Sequence, residues 1–243
     1  MHLSSKYNIP IIEDAAQAIG AKYNGRFLGS FGALSTFSFH ETKNINCGEG
    51  GAIVINDESL FSSVETIREK GTNRSVFLRG EIDKYTWVSL GSSFLPADLL
   101  AAYLFGQFEN YNKIQMHRLE LWNKYNEILS QYSQCYNFRT PHIPQYADGN
   151  AHIFYLVLRS LEFRTKIICE LQHEGILAVP HYVPLHSSPT GIRYSSGEVD
   201  ANSFINCNKF ADCLVRFPLY HELTLDDVNY ICEKTIQIMK KNS

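Results

Sequence analysis

Lys43 stands in the run Phe37-Ser38-Phe39-His40-Glu41-Thr42-Lys43-Asn44, shortly ahead of Gly48-Glu49-Gly50-Gly51. Asp14 closes an earlier run, Ile12-Glu13-Asp14, 29 residues before that lysine. A lysine amine can hold an aldehyde as a Schiff base, and a carboxylate facing a pyridine nitrogen can keep it protonated. A lysine between a strand-like segment and a glycine-rich turn, with an aspartate ending an earlier strand, is the pairing that pyridoxal phosphate chemistry needs. Singly, neither residue would carry that reading: a loop lysine is ordinarily a solvated surface group and a strand-end aspartate a turn former. Other chemistries find no foothold. The nine histidines show no H-E-x-x-H pattern or Cys/His cluster, so no metal site is expected. Gly91-Ser92-Ser93 lacks the G-x-S-x-G frame of a hydrolase nucleophile.

The elements that must position these residues alternate in type. Ile9-Pro10-Ile11-Ile12 predicts a short buried strand ending at Glu13-Asp14, Leu34–Phe39 a second and Ala52–Ile55 a third. Asp57 is expected to cap a helix that passes Leu60, Val64 and Ile67 and stops at Gly71. Such alternation predicts an α/β sheet layer whose ligands gather at the carboxyl ends of its strands. From Pro96, taken as a first-turn residue, apolar positions from Leu99 to Leu129 recur at helical spacing, predicting one long helix or two in tandem with a core-facing aromatic stripe. Gln134 to Asn150 reads as a loop and a domain boundary. Beyond it come a strand (Ile153–Leu158), a helix (Arg164–Glu174), a strand (Ile176–Pro180) and two helices, the last opening at Thr224 with Asp227 as its capping-box partner. The expected division is a large domain over residues 1–133 and a small α+β domain over residues 134–243.

Composition sets wider bounds. A chain of 243 residues with 44% hydrophobic and 19% charged residues can bury a core of ordinary size. Its formal net charge of −3 gives no bulk attraction for nucleic acid. No apolar run approaches the ~20 residues of a membrane span, and the first residues lack a signal-peptide pattern, so a cytoplasmic location is expected. The six cysteines have no C-x-x-C spacing and read as buried free thiols.

Several separated motifs in order resemble one family. Glu13-Asp14-Ala15-Ala16-Gln17-Ala18, then Phe37-Ser38-Phe39-His40-x-x-Lys43-Asn44, then Gly48-Glu49-Gly50-Gly51 look like the sugar aminotransferases of the DegT/DnrJ/EryC1/StrS family. These are fold-type-I pyridoxal phosphate enzymes, so the resemblance implies that α/β fold and that cofactor. It implies that Lys43 holds the cofactor and moves a proton, Asp14 pairs with the pyridinium nitrogen, Gln17 meets the ring and Ser38 donates to the phosphate. Tyr182 and His186, in His181-Tyr182-Val183-Pro184-Leu185-His186, become substrate candidates, as do Arg74 and Arg79 for nucleotide phosphates. Ordinary roles compete: loop histidines hydrogen-bonded in place, arginines in surface ion pairs, Ser38 as an alternate-face strand residue. A narrower likeness, carried by His40–Asn44, Arg68–Ser75, Arg79-Gly80 and Asp83–Trp87, implies enzymes that move an amine from L-glutamate to C4 of a dTDP-4-keto-6-deoxyhexose for cell-surface polysaccharide. A 3-aminotransferase is the close competitor. A related dehydratase branch has histidine where Lys43 stands.

Departures accompany the likeness. Asn46-Cys47 stands where many relatives have threonine, and Ser93 of Gly91-Ser92-Ser93 would replace an asparagine that a neighbouring subunit lends to the phosphate. Members of the family also carry a substantial segment before the aspartate strand. The chain is therefore expected to lack the N-terminal part of the large domain, with a homodimer, or a separately encoded N-terminal portion, completing the site. The competing reading is a non-catalytic remnant.

Overall fold

The computed structural model describes residues 1–195 and 201–242. The chain divides into two compact units: residues 1–113 with 145–150, and residues 114–144 with those from 151 onward. In chain order, the first unit holds α1 (His2–Tyr7), β1 (Ile12–Asp14), β2 (Lys22–Tyr23), β3 (Arg26–Phe27), β4 (Leu34–Ser38) and β5 (Gly51–Ile55). It continues with α2 (Phe61–Arg68), α3 (Arg74–Leu78) and α4 (Asp98–Glu109). Helix α5 (Tyr111–Ser130) then carries the chain into the second unit, and β6 (Ala147–Asp148) returns it to the first.

The first sheet has the order β1-β4-β5, with β1 parallel to β4 in the register Ile12↔Leu34 and Asp14↔Thr36. A parallel pair needs a crossover of a dozen residues or more. Here the crossover is a hairpin, β2–β3, turning at Asn24 and Gly25. Both turn residues have positive φ, 48° and 76°, which suits a two-residue hairpin whose twist matches its strands. Strand β6 adds to the other edge of β2, so this second sheet runs β3-β2-β6. Neither the hairpin nor β6 figured among the expected elements.

The expected strand from Ile9 pairs only from Ile12, and it is not buried: Ile9 and Ile12 are 63% and 66% exposed. Pro10 has no N–H to give a ladder, and β1 has a single neighbour in its sheet. Asp57 does cap, its Oδ1 accepting from the Ser59 amide at 3.0 Å, but it caps a short 3-10 turn (Glu58–Leu60) that leads into α2. The long apolar stretch is two helices broken at Asn110, and α4 begins at Asp98 with Pro96 outside it. The aromatic stripe is core in α5, where Ile114, Leu121, Trp122, Tyr125 and Leu129 are buried. In α4 it is not, for no residue of that helix is buried and Leu99 stands 81% exposed.

The second unit adds β7 (Phe154–Val157), α6 (Leu161–His173), β8 (Val179–Pro180), α7 (Pro189–Tyr194), α8 (Ile205–Cys213), β9 (Leu214–Phe217) and α9 (Leu225–Lys241). Its sheet runs β7-β9-β8 with antiparallel pairs throughout. The middle strand β9 escaped the sequence reading because it follows α8 with no turn residue between them. Around it packs an apolar core in which Tyr125 stacks on Phe154 with ring centroids 4.9 Å apart and donates its hydroxyl to the Pro218 carbonyl at 3.0 Å. Helix α9 opens with the expected capping box between Thr224 and Asp227. The cysteines are all free as expected, but only Cys47, Cys213 and Cys232 are buried; Cys135, Cys169 and Cys207 lie in exposed positions of their helices and loops. Among the described residues, no helix is long and apolar enough to cross a membrane.

Candidate active site

Because β1 and β4 are parallel, their carboxyl ends fall on the same edge of the sheet, and Asp14 ends β1 opposite Thr36. Two residues past Thr36, Ser38 ends β4, and the chain enters the loop that carries Lys43 before returning as β5. Asp14 and the lysine loop thus emerge together. After Asp14 the backbone turns at once: the Asp14 Oδ1 accepts from the Ala16 amide at 3.1 Å, and the Ala18 amide donates to the Ala15 carbonyl at 2.9 Å. Gln17 sits exposed on this turn.

The lysine loop is closed on itself. The Phe39 and Cys47 amides donate to the carbonyls of Gly50 and Phe39, the Glu41 amide to Gly48, and the Lys43 amide to His40 at 2.9 Å. Phe39, Ile45 and Cys47 bury their side chains beneath it. Burial, with Glu49 nearby, pushes the Cys47 thiol above its ordinary range, so this thiol is a packing group. The Thr42 amide donates to His40 Nδ1 at 3.3 Å, which leaves the ring proton on Nε2, toward Glu49. Lys43 itself is half-buried and makes no ion pair among the described residues. Ser38 accepts from the His40 amide through Oγ at 3.3 Å, which leaves its own proton to donate elsewhere.

Two neighbouring residues hold this edge in place, and sequence reasoning passed over both. Glu13 turns away from Asp14, as strand alternation requires. Its carboxylate accepts three amides, from Gly29 at 2.8 Å, Phe31 at 2.5 Å and Gly32 at 2.7 Å. Burial alone would raise its pKa, but the three amides together hold it below the ordinary glutamate value. Asn56 closes the far side of the same loop, donating Nδ2 to the carbonyls of Gly29 and Gly32. The second residue is Asn150, whose Nδ2 donates to the carbonyls of Gln17 at 2.8 Å and Ile19 at 3.0 Å, while its own carbonyl accepts from Asn44 Nδ2 at 2.7 Å. An acid beside Asp14 was a readable signal for Glu13. Nothing in the sequence marks Asn150, which stands 106 residues from Asn44.

Each of the remaining candidates has partners of its own, Ser93, Arg74 and Arg79 in the first unit and Tyr182 and His186 in the second. Ser93 bridges Glu69, and its segment runs along the end of α2 through the Ser92 and Phe94 amides, which donate to Ile67 and Arg68. Arg74 is paired with Glu69, and Arg79 is held between Glu65 at 2.9 Å and Glu81 at 2.6 Å. In the second unit, Tyr182 is exposed beneath the Arg216 guanidinium, 5.5 Å from its ring centroid. His186 stacks on Phe204 at 4.2 Å and bonds Asn208 Oδ1 through Nε2 at 2.8 Å. His181, partly buried beside Arg216, is held below the ordinary histidine pKa.

Residues 1–236 match the DegT/DnrJ/EryC1/StrS aminotransferase family. The chain belongs to it. Among curated relatives, it is 28% identical over 247 residues to the UDP-4-amino-4,6-dideoxy-N-acetyl-beta-L-altrosamine transaminase of Campylobacter jejuni, covering 99% of this chain and 61% of that one. It is 28% identical over 221 residues to the dTDP-3-amino-3,4,6-trideoxy-alpha-D-glucose transaminase of Streptomyces venezuelae, covering 89% of this chain and 53% of that one. Among solved structures, Spr1654 of Streptococcus pneumoniae in its PLP form superposes with a TM-score of 0.84 at 23% identity, over 98% of this chain and 60% of that one. The fold is the type-I α/β fold expected from the motifs. The chain spans about three-fifths of the length of these proteins or less.

Proposed function

We propose that this chain carries the lysine site of a pyridoxal phosphate-dependent sugar-nucleotide aminotransferase. The observation that supports it most is the parallel register of β1 and β4, which brings Asp14 and the Lys43 loop to one edge of the sheet. The donor set there suits the cofactor: an amine that makes no ion pair among the described residues, a carboxylate with one oxygen outside its turn bond, and a serine hydroxyl with a proton to give. Pyridoxal phosphate supplies an aldehyde for capturing amines and a ring that accepts electrons. Lys43 would hold it through Nζ and later move a proton as a neutral amine, Asp14 would keep the pyridine nitrogen protonated, Gln17 would lie beside the ring and Ser38 would donate Oγ–H to the phosphate. Ser93 remains the candidate for a phosphate contact offered to a second subunit. Arg74 and Arg79 would have to leave their glutamates to meet nucleotide phosphates; Tyr182 and His186 are substrate candidates as well.

The narrower reading is transfer of the amine of L-glutamate to C4 of a dTDP-4-keto-6-deoxyhexose, as a dTDP-4-amino-4,6-dideoxygalactose transaminase does, within cytoplasmic synthesis of surface polysaccharide. The segments around His40–Asn44 and Arg68–Ser75 favour it, and the Campylobacter relative is named for a 4-amino sugar. A 3-aminotransferase stands as the alternative, since the Streptomyces relative is named for a 3-amino sugar. A homodimer accords with the uncovered apolar residues of β1 and α4.

The test is direct. The chain is mixed with pyridoxal phosphate and followed by its visible absorbance, with borohydride fixation and peptide mass to locate the bound cofactor. Fixation on Lys43, absent in Lys43→Ala, is expected, followed by amination of a dTDP-4-keto-6-deoxyhexose with glutamate as donor. A chain that binds no cofactor at Lys43 refutes the proposal; fixation without turnover leaves a cofactor-binding fragment.

A further inference from the structure

The two loops that hold Asp14 and Lys43 touch a third stretch of chain through two buried asparagines. Asn44, the residue after Lys43, is 4% exposed and donates Nδ2 to the Asn150 carbonyl at 2.7 Å. Asn150 is 8% exposed, and the two hydrogens of its Nδ2 reach the carbonyls of Gln17 and Ile19, on the turn that follows Asp14. One residue therefore joins the lysine loop through its backbone and the aspartate turn through its side chain. Its own place is set by β6, which pairs with β2 in the register Tyr23↔Ala147 and Lys22↔Asp148, and by the Asn24 amide, which donates to the Tyr146 carbonyl at 2.7 Å. Gly20, at the end of the aspartate turn, has a φ of 77°, and a Cβ there would lie 1.9 Å from the Tyr111 hydroxyl, so a side chain at this position is strained.

The chemistry of the tie calls for an amide. The carbonyls of Gln17 and Ile19, two residues apart, take two hydrogens from one small planar group, and a primary amide provides them. Alanine would remove the donor from both carbonyls, and aspartate would set a carboxylate against them. Both asparagines are buried, so the tie acts through the loops that it joins.

We infer that Asn150 is a positioning residue for the amine-transfer site. It fixes the separation between Lys43 and the Asp14–Gln17 turn, with Asn44 as its relay. The inference rests on the reading that these loops hold pyridoxal phosphate. A displaced loop costs a reaction far more than it costs a fold, because reacting groups must meet within a fraction of an ångström.

The experiment compares wild type, Asn150→Ala, Asn150→Asp and Asn44→Ala as full chains with pyridoxal phosphate. Far-ultraviolet circular dichroism selects the variants that fold. On those, borohydride fixation at Lys43 is timed, and the visible band of the bound cofactor is titrated with pH. The expected result is fixation slowed by about tenfold or more, with the pH midpoint of the band displaced, in the Asn150 variants and less so in Asn44→Ala. Folded variants that lose thermal stability yet keep the wild-type fixation rate and pH midpoint overturn the inference and leave Asn150 a structural residue. Asn150→Asp keeps the shape of the side chain, so it carries the test if Asn150→Ala does not fold. Wild type that fixes no cofactor at Lys43 overturns the functional reading and this inference together; normal wild type with unchanged variants overturns only the inference.

Discussion

At the scale of single residues, Glu13 shows how an acid next to a proposed site can serve the backbone instead of the chemistry. Its three amide bonds hold its pKa below the ordinary glutamate value. A carboxylate shifted down in the folded state adds stability that is complete above the unfolded pKa and is lost as pH falls through the folded value. Glu13→Gln removes the charge and should cost about 2 kcal/mol at neutral pH, with the gap to wild type closing as acid protonates Glu13. Urea unfolding of both proteins across neutral to acid pH measures it; a gap that stays constant down the acid limb would sink the assignment. Legibility at this scale was uneven. Lys43 and Asp14 stood out because their types and flanks point to one chemistry. Glu13 left a readable signal as an acid beside Asp14, whereas Asn150 left none, because a hydrogen-bond partner 106 residues away leaves no local trace.

At the scale of elements, the start of the last helix was the most legible feature. Thr224 and Asp227 form a capping box three residues apart, and the structure contains both of its bonds. Thr224→Ala should destabilise the second unit by about 1 kcal/mol, read as a shift in the urea midpoint with unchanged slope. The strands were less legible. β2, β3 and β6 are two residues long, too short for any periodicity, and only the Asn24-Gly25 turn announces the hairpin. β9 carries four residues directly after a helix, so its pattern was absorbed into that helix. The apolar stripe of Leu99 to Leu129 looked like one core-facing surface, yet only its second half is buried. Periodicity tells which face is apolar; it cannot tell what covers that face.

At the scale of the whole molecule, uncovered apolar side chains include those of β1 and α4. Leu99, Tyr103 and Phe105 of α4 are 81%, 57% and 66% exposed, and Ile12 on β1 is 66% exposed. Surfaces of this kind mark association. We expect the chain to self-associate with rising concentration, and the double change Leu99→Lys with Phe105→Lys to shift it toward the monomer. Sedimentation velocity over a concentration series decides this. A wild type that stays monomeric throughout would remove α4 as a contact surface.

Asn150 has one more consequence, in time rather than in space. Asn44 and Asn150 are 106 residues apart, and the ribosome adds about 5–20 residues each second. For roughly 5–20 seconds of synthesis, then, Lys43 has already been made while the residue that steadies its loop has not. On the proposed reading of the site, cofactor met during that interval would find the lysine loop without its tie to Asn150.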